Sequence, residues 1–317
     1  MNTKDKKPTV LITRAVTLYL IFHFLFCAKI TEPNRDFYYQ IDDFNIIELE
    51  YNDLPYTYER IYSLNTGDPV DSCGVIMFGY NSKNYYHPVQ LAQKANVFID
   101  SYKISGNTEY IEKAALFASK LLEISLEINE TIFFPYPFDY PMHGNEADKM
   151  IAPWYSGMAQ GQTLSAFVRL YQATGESHYL TAAHKIFNSY SCFFASNKPW
   201  IAFIDDEHYY WIEEYPNDQQ PDHTLNGFIF AIYGLYDDYF ATQNSECKKL
   251  FQASITTIYK NIEKFRNEGD ISAYCLKHRI KSNKYHHVYM DQLNMLYKMT
   301  GEKYFQTMAE LFLNDHP

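Results

Sequence analysis

The 317-residue sequence lacks the signatures that most readily announce a function. It has no glycine-rich phosphate loop, no dinucleotide fingerprint and no Cys/His spacing of the zinc-finger kind, which excludes the common nucleotide-binding and zinc-module readings. Positive charge is scarce: 27 Lys and Arg stand against 38 Asp and Glu, a net charge of −11 that argues against a general nucleic-acid binder. The five cysteines, at 27, 73, 192, 247 and 275, are odd in number and scattered, so they read as free thiols and not as a disulfide framework. Long apolar runs are also missing. The longest, "AVTLYLIFHFLFC", follows the basic start "MNTKDKKPTVLITR" and has thirteen residues, short of the ~20 that span a bilayer. This pattern predicts a signal peptide or signal anchor over 1–28, and an exported or membrane-anchored chain.

Aromatic side chains, in contrast, are abundant: 18 % of residues, 30 of them tyrosine. Tyrosine couples a flat apolar face to a hydroxyl, which suits a sugar-binding cleft and equally a wet-rimmed core.

A repeat organises the chain. "YKISGNTEYIEKAA" from Tyr102, "YQATGESHYLTAAHK" from Tyr171 and "YKMTGEKYFQTMAE" from Tyr297 each read as a helix ending on Tyr, a left-handed Gly cap and a second helix. A degenerate copy, "YFATQNSECKKLFQ", begins at Tyr239, so the copies are 69, 68 and 58 residues apart. Gln93 and Gln162 both lie nine residues before their unit's Tyr, in support of the register. Each unit is then an αα-hairpin with a connecting excursion, and four such hairpins predict a mainly α fold, an (α/α) toroid or open solenoid, over residues 71–317. The excursions "TIFFPYPFDYP" and "PWIAFIDDEHYYWIEEYP" read as extended, the second as a hairpin about its DDEH turn. Residues 29–70, acidic and weakly periodic, read as an N-terminal strap.

In a ring of hairpins equivalent helix ends share one rim, so the residue-rich entries "NYYHPVQLAQ", "PWYSGMAQGQ", "EEYPNDQQPDHTLNG" and "KYHHVYMDQL" are expected to converge. In "WIEEYP", alternation sends one of Glu213 and Glu214 inward, and the flanking Trp211, Tyr215 and Pro216 favour a fixed, partly desolvated carboxylate able to take a proton near neutral pH. Against this, most such acidic pairs are merely solvated. Residues 277–287 hold four Lys or Arg, three His and no acid, and read as an anion-binding wall or as a solvated loop. The adjacent His286 and His287 face different directions on a helix and are a poor metal pair; no metal site is expected. In "PWYSGMAQGQ", Gly157 and Gly161 are also readable as pure packing positions, Trp154 as core and, further on, Asn226 as a cap.

"PWYSGMAQGQ", "EEYP…TLNGF…GLYD", "AYCLKHR" and "YHHVYMDQL", in that order, resemble the C-terminal domain of the D-glucuronyl C5-epimerases over roughly residues 70–315, and "NYYHPVQLAQ" is similar to that family's first-helix entry. The resemblance implies abstraction of the C5 proton of a glucuronate within an acidic polysaccharide and its replacement on the other face, giving iduronate, without an organic cofactor. It implies Glu214, Tyr274 and Tyr285 as catalytic residues. Tyr86, Gln90, Trp154, Tyr155, Gln160, Gln162, Tyr215 and Asn226 become substrate contacts, and Lys277, Arg279 and His286 hold the substrate carboxylate as charge develops. Tyrosine serves as proton donor if neighbouring cations lower its pKa. The family's "YDLRH" stands here as "YCLKH", with Cys275 and Lys277 in place of Asp and Arg, and Tyr289 replaces a family His. Lysine cannot make the planar two-pronged grip of arginine. A toroid lyase or hydrolase on uronate chains, the latter with Asp139, Asp148 or Asp222 as second carboxylate, and a non-catalytic polysaccharide binder are the alternatives. A homodimer and anchoring through the N-terminus are the further expected associations.

Overall fold

Helices in this chain come in pairs joined by one left-handed residue. In the computed structural model, which describes residues 38–65, 67–195, 199–217 and 221–317, the pairs are α1 (Pro88–Ser105) and α2 (Thr108–Glu123), α3 (Gly157–Thr174) and α4 (Ser177–Phe187), α5 (Leu225–Thr242) and α6 (Ser245–Asn261), and α7 (Asn283–Thr300) and α8 (Lys303–Asp315). Gly106, Gly175 and Gly301 end the first helix of their pairs at φ 69°, 74° and 73°, each donating its N–H to the carbonyl of the repeat tyrosine, Tyr102, Tyr171 or Tyr297. The degenerate copy keeps the geometry without the glycine: Gln243 sits at φ 54° and donates to the Tyr239 carbonyl. A side chain in this region costs ~1–2 kcal/mol, so Gln243→Gly is expected to raise the stability by about 1 kcal/mol, read as a shift in urea midpoint at unchanged m-value.

The first helices of the pairs form the inner row. α3 is buried along its length from Gly157 to Leu170, whereas α4 buries one face only, through Tyr179, Ala182, Ala183, Ile186 and Phe187. Gly161 and Gly234 let α3 and α5 touch: a Cβ at Gly161 would lie 2.3 Å from the Ala231 Cα, and one at Gly234 would lie 2.5 Å from the Gly161 carbonyl oxygen. This is the packing alternative for the two glycines of "PWYSGMAQGQ", and it holds for both, since a Cβ at Gly157 would meet the Glu213 carbonyl oxygen at 2.6 Å. The architecture is the mainly α, (α/α)-toroid type expected from the repeat.

The excursions are two-stranded and antiparallel: β1 (Phe78–Tyr80) with β2 (Lys83–Tyr85), β3 (Leu126–Ile128) with β4 (Thr131–Phe133), β5 (Tyr140–Pro141) with β6 (Lys149–Met150), and β7 (Ala202–Ile204) with β8 (Tyr210–Ile212). The DDEH turn follows from Asp205, whose carboxylate accepts from the Glu207 and Tyr209 N–H groups and from the Trp211 indole. It sets the register Phe203↔Trp211.

Residues 39–317 make up one compact unit, and its first twenty residues cross the hairpins as an extended strap. Asp42 N–H donates to Thr256 Oγ1 on α6, Ile47 N–H to the Met299 carbonyl at the end of α7, Leu49 N–H to the Tyr236 hydroxyl on α5, and Tyr51 and Tyr58 both donate to Asp100 on α1. The expected signal or anchor segment lies outside the described residues. Among those described, no helix is long and apolar enough to cross a membrane.

Candidate active site

Glu214 lies two residues beyond the end of β8, at the point where the chain leaves the strand, and it packs against the first turn of α5. There is room for it only because residue 227 is glycine: a Cβ would stand 2.3 Å from Glu214 Oε2 and 2.5 Å from its Cβ. Helix-interior Gly→Ala ordinarily stabilises by ~0.5–1 kcal/mol, but this clash has no open side. Gly227→Ala is therefore expected to destabilise by about 1–3 kcal/mol in thermal or urea denaturation.

Glu214 is buried, 6 % exposed. Burial pushes its pKa from 4.5 up to about 8, against hydrogen bonds from the Tyr215 and Tyr274 hydroxyls and the Gly227 N–H at the α5 N-terminus, which favour the anion. Tyr274 Oη lies 3.4 Å from Glu214 Oε2 and 3.4 Å from the Tyr215 hydroxyl. The Tyr285 ring, in the first turn of α7, packs 4.6 Å from that of Tyr274. The structure thus brings Glu214, Tyr215, Tyr274 and Tyr285 together from the β8 exit, the loop before α7, and α7 itself. Tyr289 anchors the group from behind by donating to the Tyr274 carbonyl at 2.9 Å.

The electrostatics depart from expectation in two respects. Burial, followed by the proximity of the Glu214 carboxylate, raises the pKa of Tyr274 and of Tyr285. They are neutral O–H donors, not cation-activated phenols. The positive lip does not assemble either. Lys277 is paired with Asp148 at 2.6 Å. Arg279, exposed, points away to the Lys264 carbonyl and Asn267, both at 2.7 Å. His286 is buried: its Nδ1 accepts from the Ser272 N–H, and its Nε2 meets the Phe312 and His316 carbonyls at 2.9 Å, so it ties the C-terminus to the fold. Lys281 pairs with Asp270. A run of cations local in sequence is divided among separate acids once the chain folds. The cation left beside the tyrosines is Lys284, exposed, with its Nζ 5.4 Å from the Tyr285 ring centre.

Other expected contacts also separate. Glu213 does not face solvent opposite Glu214: it is fully buried and holds the loop before α5, accepting from the Asp222 and His223 N–H groups and pairing with His223 Nδ1 at 2.6 Å. The strand ends at Ile212, so alternation no longer governs the pair. Gln160 is fully buried and spends its amide on Phe134 N–H, the Ile132 carbonyl and the Ser189 hydroxyl, a structural role. Tyr86 gives its hydroxyl to Asp71 at 2.7 Å and its ring to Lys120. Gln90 lies in the first turn of α1 and Tyr155 edges onto Phe133. Gln162 and Asn226 are both buried with side-chain amides that meet no protein partner, which leaves them available to a polar ligand or bound water. Trp154 stacks on Tyr136 at 3.8 Å and donates to the Phe138 carbonyl, and with Tyr140 and Tyr215 it forms an aromatic wall running from the carboxyl group.

Three residues outside the expected site set stand beside this group, His278 being expected only as one member of the basic 277–287 run. His143, in the turn between β5 and β6 at φ 56°, sets its ring edge-on to Tyr274 at 5.4 Å and bonds Asp222 through Nε2 at 3.0 Å. His278 packs on His143 at 5.2 Å. Tyr140 stacks on Tyr215 at 6.1 Å. The sequence signal for His143 was only "PMHG", which carries nothing without its neighbours. Of the alternative carboxylates, Asp139 is exposed, whereas Asp148 and Asp222 are buried among histidines and Lys277.

Comparison with known proteins bears on this arrangement. The family model of the D-glucuronyl C5-epimerase C-terminus matches residues 128–314. An uncharacterised protein of Methanocaldococcus jannaschii is 28 % identical over 185 residues, covering 56 % of this chain and 58 % of that one. The D-glucuronyl C5-epimerase of Caenorhabditis elegans is 25 % identical over 144 residues, 41 % of this chain and 23 % of that protein. The matched regions thus span less than two thirds of either relative. Among solved structures, a D-mannose isomerase superposes with TM-score 0.54 at 12 % identity, over 79 % of this chain and 65 % of that one. The cellobiose 2-epimerase of Bacillus thermoamylovorans superposes with TM-score 0.51 at 13 % identity, over 72 % and 59 %. At such identities these two speak for the toroid fold alone. On the match across more than half its length, the chain belongs to the D-glucuronyl C5-epimerase family, through that family's C-terminal region.

Proposed function

We propose that this chain is a carbohydrate epimerase that inverts D-glucuronate to L-iduronate at C5 within an acidic polysaccharide. The observation that carries this reading is one buried carboxyl group of raised pKa hydrogen-bonded to a chain of neutral tyrosines. The C5 proton sits next to a carboxylate, so its removal adds charge to a group already anionic. Lys284 supplies the cation for that group, and phenols that stay protonated supply hydrogen bonds as charge builds. Glu214, ionised, takes the C5 proton, and the electron pair moves onto the substrate carboxyl. Tyr285 gives its hydroxyl proton to C5 from the other face. The proton on Glu214 then returns through Tyr274 to the Tyr285 oxygen, so the cycle closes without a redox partner. The reading carries with it an exported or anchored chain, supported by the basic and then apolar start of the sequence.

The test is incubation with N-acetylheparosan-type glucuronate polymers in deuterium oxide, followed by NMR. The wild-type protein is expected to label C5. Tyr285→Phe is expected to lower the rate by about 10²-fold or more, the usual worth of a positioned proton donor. Ultraviolet absorbance from an unsaturated product would make it a lyase. Absence of C5 label with every glucuronate polymer would end the reading.

A further inference from the structure

Behind the tyrosines, three connecting segments meet at one cluster of metal-ligating groups. His143 comes from the β5–β6 turn, Asp222 from the loop before α5, and His278 from the loop before α7. Their ligand atoms all lie within 4.8 Å of one another. His143 Nε2 is 3.0 Å from Asp222 Oδ2, and His278 Nε2 is 3.5 Å from Asp222 Oδ1. The Cys275 sulfur is 3.7 Å from His143 Nε2.

Two observations separate this cluster from a hydrogen-bonded staple. Asp222 is completely buried, yet its Oδ1 has no hydrogen-bond partner. His278 Nε2, 3.5 Å from that oxygen, is likewise buried and without a hydrogen bond, although Asp222 Oδ1 and, at 3.4 Å, Asp148 Oδ2 are both within ion-pair reach. A buried carboxylate oxygen and an imidazole nitrogen that face one another at this distance, unbonded, are a costly arrangement. A cation held by both satisfies them.

We infer that His143, Asp222 and His278 bind one divalent transition-metal ion. Two imidazoles and a carboxylate, with a thiol adjacent, are the donor types that Zn²⁺ takes. Zn²⁺ bonds nitrogen and oxygen at about 2.0–2.2 Å, so its ligands stand about 3.3–3.5 Å apart when tetrahedral, and the present separations need only small adjustments. Such an ion ties together the three loops that carry or adjoin Tyr274 and the α5 N-terminus. It also sets positive charge behind Tyr274, on the side where Lys277 is already neutralised by Asp148. The consequence for catalysis rests on the function proposed above; the site itself does not.

The test uses the full chain stripped with a chelator and titrated with Zn²⁺ by calorimetry, and with Co²⁺ by visible absorption. One ion per chain is expected, with the d–d bands of a low-coordinate Co²⁺ site and a raised melting temperature. His143→Ala and His278→Gln are each expected to weaken Zn²⁺ binding at least tenfold. His178→Gln, at an exposed histidine, should leave it unchanged. Should His143→Ala fail to fold, His278→Gln and the wild-type stoichiometry still decide. No stoichiometric binding to wild type, or binding that survives both substitutions, overturns the proposal. Because these readouts need no substrate, a protein that binds metal without C5 exchange refutes the enzyme reading alone, and one that exchanges without metal refutes the site alone.

Discussion

Glu214→Gln is expected to cut C5 exchange by orders of magnitude while making the protein more stable in alkali. The two effects share one cause. The folded chain buries this carboxyl group beside Gly227 and three phenols, and burial holds its pKa at about 8 against an ordinary 4.5. In the folded protein the group keeps its proton up to about pH 8, and in the unfolded chain it loses it near 4.5. The stability it contributes is complete below pH 4.5 and is lost as the pH climbs toward 8. A rise of that size corresponds to about 5 kcal/mol at pH 9, in a fold whose whole margin is ~5–15 kcal/mol. Glutamine keeps the shape, can still accept from the Gly227 N–H, and never ionises. Urea denaturation at pH 5 and pH 9 should therefore show the variant losing several kcal/mol less than wild type between the two values. An unchanged difference would mean that Glu214 is not the buried ionising group. Activity should fall by about 10²–10⁴-fold, the usual worth of a positioned general base. In the wild type only the ionised fraction can act as base, so exchange should rise nearly tenfold per pH unit below 8 and level off above it. A rate that falls over the same range would assign Glu214 as the acid instead.

Asp237→Ala is expected to cost about 3–5 kcal/mol, the usual penalty for leaving a buried charge without its partner. Arg169 on α3 is 5 % exposed and grips Asp237 on α5 in two parallel bonds, Nε to Oδ2 at 2.9 Å and Nη2 to Oδ1 at 3.1 Å. Burial works against its charge, and the Asp237 carboxylate more than offsets this, so that its pKa stays raised. Its guanidinium also lies over the ring of Tyr56, in the strap, at 5.4 Å. Removing the acid frees a cation in the interface between two inner helices and beneath the strap. Thermal denaturation should show the loss directly. The double variant Arg169→Met/Asp237→Leu should recover much of it, because a pair of apolar side chains carries no desolvation cost. Failure of the double variant to recover would mean that the pair is needed for packing and not only for charge balance.

Both results turn on contacts between hairpins, which is where sequence reasoning weakens. The hairpins themselves were legible. A tyrosine, a left-handed cap and a second helix are local chemistry, repeated four times, and Tyr239–Gln243 was readable even without its glycine. The same holds for the DDEH turn, whose shape follows from one aspartate and the amides nearest to it. Glu214, Tyr274 and Tyr285 were legible as residues through family motifs, and the repeat gave the expectation that they share one rim.

Partnership was not legible. The cations of 277–287 looked like one wall because they are neighbours along the chain, yet folding sends most of them to separate partners: Asp148 for Lys277, the Lys264 carbonyl for Arg279, and backbone oxygens near the C-terminus for His286. Gln160 looked like a substrate amide and is consumed by backbone groups from β4 and its exit. His143, Asp222 and His278 are 79 and 56 residues apart in the chain and belong to three different stretches, so their meeting is a product of three loops arriving at the same place. The sequence alone determined the repeat, the caps, and which residues have the chemistry to act, because those depend on neighbours a few positions away. The tertiary structure decided which charges are free, which carboxyl is dry enough to hold a proton at pH 7, and which histidines face one another, because burial and pairing are set by groups that only folding brings within reach.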